Sequence, residues 1–119
     1  MHAWCDVNYM TYESKVHAGI HVIGDSIQLA PLMPKSGHMA NQQGKVAAAA
    51  IIELLAGRAP HTQPVVMNTC YSFVDAKSAI HVASIHQYSA EQKTMLTVPG
   101  SGGVSGGGAT ELEGTYAMA

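Results

Sequence analysis

The sequence predicts an α/β or α+β fold, with a strand, an acidic turn and a long helix in the first half and a small β-rich unit in the second. Three stretches predict it. The apolar run His21, Val22, Ile23 stops abruptly at Gly24 and Asp25. Residues 46–55, VAAAAIIELL, are apolar but for one glutamate and end before Gly57. Residues 79–88 and 94–98 have strand composition and flank a polar turn at 89–93, the pattern of a β-hairpin.

The elements follow in order. Residues 1–19 are polar and mixed, with an extended piece at 4–8 and a turn region at 9–15. Gly24 has no Cβ, so the chain can turn sharply there and admit a ligand close to its backbone. Asp25 is then expected at the carboxyl end of a strand, where open α/β sheets bind ligands. An ionised acid in that place accepts several hydrogen bonds, which suits sugar or polyol hydroxyls. An irregular loop, 26–37, closes with Pro34, Lys35, Ser36 and Gly37. Ser36 is an N-cap candidate, because its hydroxyl oxygen can accept from the free amides of the first helical turn. Those amides at Ser36, Gly37 and His38, with the helix dipole and the Lys35 charge, favour an anion or an electron-rich ring. The helix stops at Gly57 with Pro60 beyond it. Being apolar nearly all round, it is expected to be covered on more than one side.

The segment 58–64 holds two residues that break regular structure, Pro60 and Pro64, and marks the one subdomain boundary, dividing the chain into 1–59 and 60–119. Beyond it, 65–67 and 72–74 read as strand, with Asn68, Thr69, Cys70 and Tyr71 between or within them. Residues 99–110, PGSGGVSGGGAT, are too glycine-rich to pack alone and read as a mobile loop. No Gly-Lys-Ser/Thr follows, so this is not a phosphate loop. Residues 111–119 read as the start of a helix.

Composition excludes several functions. The net charge is −2 and there is no basic patch, which leaves no case for nucleic acid. No run approaches the ~18 apolar residues that span a bilayer. His17 and His21 have a spacing that would share a helix face, but Gly19 lies between them and no third ligand is near, so no metal site is expected. His81 and His86 are five apart and point to opposite faces of a strand. Two cysteines fix no redox compartment. Cys5 reads as a small hydrophobe or a redox partner, and Cys70, on its residues alone, as a buried structural cysteine. The chain is 47 % hydrophobic and only 12 % charged, against the ~25 % charged of typical globular chains, so it is expected to bury surface against something else.

Five stretches together carry a resemblance. Tyr12, Glu13 and Ser14, then IHVIGDS, PKSGHMANQQGKVAAAAI, NTCYSFV and KTMLTVPGSGGVS through to ELEGTYAMA are similar to the flavoprotein subunit of flavocytochrome c sulfide dehydrogenase. The strand-Gly-Asp followed by an apolar helix resembles the second FAD-binding motif of the disulfide-reductase-like flavoproteins. The resemblance implies the C-terminal part of a two-dinucleotide-domain flavoprotein: 1–59 from the FAD-binding domain and 60–119 a truncated flavin-binding interface domain. The glycine-rich dinucleotide fingerprint of the family would lie in an N-terminal remainder, a partner of these residues. It implies FAD as cofactor, bound by Gly24, Asp25, Lys35, Ser36, Gly37 and His38. It implies that Cys70 forms a redox disulfide with a distant cysteine, attacked by sulfide, with electrons passed to a c-type cytochrome subunit in the periplasm. The chain has no C-x-x-C-H motif, so any haem belongs to that partner. Ser26 stands where alanine is expected, and Gly44 within the helix is a second departure. A sulfide:quinone reductase is the rival enzyme, but it needs an apolar C-terminal element for the membrane, and this C-terminal half is glycine-rich and polar. A non-enzymatic docking module, using the hairpin edge for strand pairing, is the other alternative.

Overall fold

A computed structural model describes residues 4–106 of the chain, with the backbone alone at 103–106. The elements are a 3-10 turn at Gly24–Ser26, helix α1 at Gly37–Leu55, and strands β1 (Val65–Phe73), β2 (Ala79–Ser89), β3 (Thr94–Thr97) and β4 (Gly103–Gly106). The architecture is a small α+β unit: one helix packed on an antiparallel sheet.

The sheet is built on β2. Along one edge β1 pairs with it from Val65 opposite Gln87 to Phe73 opposite Ala79. The other edge is shared, by β3 near the Ser89 end and by β4 near the Ala79 end. The expected hairpin is present, and residues 68–71 lie within β1. The glycine-rich stretch departs from expectation. Its residues 103–106 form β4, which pairs Gly103 with Ala83 and Gly106 with Ile80. A ladder is made by backbone groups, so a glycine-rich composition did not prevent pairing. Residues 107–110 of that stretch and the helix expected at 111–119 lie outside the described residues.

The strand expected before Gly24 is not formed. His21 makes a single bridge to Glu13, and Ile20 and Ile23 are exposed. No neighbouring segment offers 20–23 a continuous ladder, so the apolar run stays irregular and Gly24 enters the 3-10 turn with φ +80°. The acid therefore sits on a turn, not on a strand tip.

Helix α1 forms where its signals place it. The Ser36 side chain accepts from the Met39 amide at 3.0 Å. At the far end Gly57, at φ +74°, and Arg58 donate to the carbonyls of Leu54 and Glu53. That pair of bonds is a Schellman closure, which requires a left-handed residue at the glycine. Met39, Gln43, Ala47 and Ala50 form the buried face at helical spacing. The expectation of cover on more than one side is not met: Ile52 is 61 % and Leu55 85 % exposed. Val65, Met67 and Phe73 on the outer face of β1 are exposed as well.

One hydrophobic cluster serves the described residues. It joins Val7, Tyr9, Tyr12 and Ile27 from the N-terminal segment, Met33 and Met39 from the loop and helix, and Val66, Tyr88 and Met95 from the sheet. Helix and sheet thus share a core across the 58–64 linker, and this sets the N-terminus of α1 against the middle of β1.

Candidate functional site

The helix N-terminus is the centre of the site. In an α-helix the first amides have no intrahelical partner. Here the Ser36 hydroxyl takes the Met39 N–H, and no acceptor among the described residues serves the Gly37 and His38 amides. At Gly37 a Cβ would meet nothing within 4 Å, so the side-chain position there is open. The positive end of the helix dipole lies at the same place.

The acidic turn reaches the helix by two contacts. The Gly24 N–H donates to Gln43 Oε1 at 2.8 Å. Lys35 Nζ donates to the backbone carbonyl of Asp25 at 2.8 Å and lies 3.5 Å above the centre of the Trp4 ring. The lysine thereby ties the turn down through its main chain and leaves the Asp25 carboxylate exposed. Gly24, Asp25, Lys35 and Ser36 line one narrow crevice with Gln43 and Met39, too tight in this chain to hold a water molecule.

The sulfur lies on the other side of Ser36. The Ser36 hydroxyl donates to Asn68 Oδ1. Asn68 Nδ2 donates to Cys70 Sγ at 3.0 Å, and the same sulfur is 3.2 Å from Asn68 Oδ1. His38 closes the junction, its Nδ1 accepting the Thr69 N–H at 3.0 Å. The His38 ring is therefore a tie between α1 and β1, and what it offers a ligand is its amide. Cys70 is half-buried and Cys5 exposed.

All seven residues singled out in the sequence thus fall in one connected region. Asp25, Lys35 and Ser36 share the crevice, and Cys70 joins Ser36 through Asn68. Two residues of the network gave no chemical signal in the sequence. Gln43 is a polar side chain on an otherwise apolar helix face, and Asn68 sits two residues before a cysteine on the same strand face. Both are 1 % exposed. A buried amide in an apolar pattern is the signal that points to them, since such groups need partners.

Other polar groups lie apart. His86 is buried, with its ring nitrogens 2.8 Å from Ser84 Oγ and 3.4 Å from Thr97 Oγ1, and burial holds it below the usual histidine value. His21 Nδ1 pairs with the Thr11 carbonyl oxygen at 2.8 Å. Among the described residues no group of three His, Cys, Asp or Glu side chains is gathered that could hold a metal. A groove of about 700 Å³ between the second half of α1 and residues 59–65 is larger, but none of the seven residues lines it.

The region thus gathers an exposed acid, helix amides without an intrahelical partner, a lysine and a neighbouring sulfur. Residues 62–119, just under half of the chain, match the family described as flavocytochrome c sulphide dehydrogenase, flavin-binding. Over those residues the chain is similar to the flavin-binding part of that family, and the match supports FAD as the cofactor. Among the described residues no helix is long and apolar enough to cross a membrane.

Proposed function

We propose that this chain is part of an FAD-dependent enzyme that oxidises sulfide through a cysteine disulfide beside the flavin and passes the electrons to a c-type cytochrome subunit. The observation that carries it is the hydrogen-bonded path from the helix N-terminus through Ser36 and Asn68 to Cys70. In this reading residues 1–59 complete an FAD-binding domain of the two-dinucleotide type, and 60–119 form the flavin-binding interface region. The setting is the periplasm, and an N-terminal part supplies the dinucleotide fingerprint and the second cysteine.

When bound, the flavin supplies two-electron redox chemistry at its ring. Asp25 would accept hydrogen bonds from hydroxyls of the cofactor chain. The Gly37 and His38 amides and the Lys35 cation would stabilise negative charge that grows on the ring upon reduction. Cys70 presents its sulfur as half of the disulfide. HS⁻ attacks one sulfur, the S–S bond breaks, and the electron pair leaves on the other sulfur; the products are a persulfide and a thiolate, with no other reagent needed.

The test is Cys70→Ser in the flavin-loaded protein, followed by stopped-flow absorbance of the flavin after mixing with sulfide. Loss of sulfide-dependent bleaching is expected. Bleaching at the normal rate removes Cys70 from the reaction.

A further inference from the structure

The buried amide of Asn68 has no assigned role in the reaction, yet its contacts tie the helix cap to the sulfur. Its side chain lies on the core face of β1, opposite Ser84 and two residues from Cys70. A buried amide must find partners for both its ends. Which end meets the sulfur follows from Ser36. The hydroxyl oxygen of Ser36 already accepts from the Met39 amide, so its one proton is turned outward, to Asn68. That proton claims Oδ1, and the NH₂ arm is left for Cys70. Oδ1 keeps a second lone pair, and it lies 3.2 Å from the sulfur. One amide therefore has a partner for the sulfur in either state: an acceptor for S–H and a donor for S⁻.

We propose that Asn68 is the positioning residue of Cys70, holding the sulfur at the N-terminal end of α1 and keeping an N–H on it when it carries negative charge. The proposal rests on the redox reading of Cys70. In the disulfide-opening step, a Cys70 sulfur that leaves with the electron pair is received by the Asn68 N–H and needs no water. Hydrogen bonds to charged groups are among the stronger ones in proteins, so the donor matters most in that state.

The experiment is the alkylation rate of Cys70 by iodoacetamide at pH 7, in the reduced flavin-loaded protein, read at this residue by peptide mass spectrometry. Asn68→Leu keeps the size and removes both polar ends. Asn68→Asp keeps the shape and the Ser36 bond but sets an acceptor against the sulfur. Alkylation about tenfold slower is expected in both, since the thiolate is the nucleophile and has lost its donor. Thiolate absorbance near 240 nm is expected to fall with it, whereas a loosened, better hydrated sulfur would raise it. A role confined to packing has the opposite sign, because a loosened site exposes the sulfur and speeds alkylation. Rates unchanged or faster overturn the proposal, and if the leucine variant fails to fold the aspartate variant decides. The redox reading fails separately: normal sulfide bleaching in Cys70→Ser sinks it whatever the alkylation rates show.

Discussion

Gln43 is where the geometry of the acidic turn depends on one side chain. Its Oε1 accepts the Gly24 N–H at 2.8 Å, and its Nε2 reaches the Met33 sulfur at 3.6 Å. Gln43→Leu keeps nearly the same volume, so no cavity term enters. The sulfur contact is weak and its loss matters little. What is lost is the acceptor for a glycine amide that is partly covered and has no alternative acceptor among the described residues. Removing one partner leaves the other unsatisfied, at a cost of about 1–3 kcal/mol, while the apolar replacement recovers a fraction of this by burial. The net is about 1–2 kcal/mol. For a chain of this length ~1 kcal/mol moves the melting midpoint by roughly 4 °C, so a fall of roughly 4–8 °C is expected by calorimetry. A local signature accompanies it. Exchange of the Gly24 amide with deuterium is expected to quicken by about tenfold or more while the amides in the middle of β2 change only with global stability. A melting midpoint within ~1 °C of the parent, with Gly24 exchange unaltered, refutes the claim that this bond fixes the turn.

Lys35→Ala removes the cation nearest the acidic turn and is expected to lower the flavin reduction potential; an unchanged potential in a redox titration removes that role. Tyr12→Phe is expected to stabilise the fold by about 1 kcal/mol in a denaturant titration, because the Tyr12 hydroxyl is buried without a hydrogen-bond partner among the described residues and a lone buried hydroxyl is a net cost. Destabilisation instead would mean that the hydroxyl has a partner. His86 is held below its usual value near 6.5 by burial, so the unfolded chain binds the proton more readily than the folded one. Its contribution to stability is complete above pH ~6.5 and is lost as the pH falls through the lower folded value. A melting series from pH 8 to 5 should show this decline, and His86→Leu should flatten it; equal slopes in the two proteins refute the assignment.

The parts of this fold that can be read in the sequence are those whose signals are local. Ser36, Gly57 and the turn 89–93 each act on the backbone within a few residues, and the cap, the Schellman closure and the hairpin all form. The failures are non-local. The run 20–23 has the composition of a buried strand, but a strand exists only with a neighbour to pair with, and here Glu13 supplies a single bridge. Residues 103–106 have the composition of a loop, yet the edge of β2 left open beyond β3 gives their backbone a ladder. The site shows the same division. The residue types at Asp25, Lys35 and Ser36 can be picked out by their chemistry, and Cys70 only by the family resemblance. Their meeting cannot, because it depends on Asn68 and Gln43, whose partners lie 32 and 19 residues away in the chain. Packing α1 across β1 and the 3-10 turn creates these contacts, and the two amides then become obligatory, since each is buried and must be satisfied. The Cys70 sulfur is thus held by a residue that looks, in the sequence, like an ordinary strand asparagine. If the sulfur does the chemistry, selection at Asn68 acts on the orientation of that sulfur as much as on the stability of the sheet.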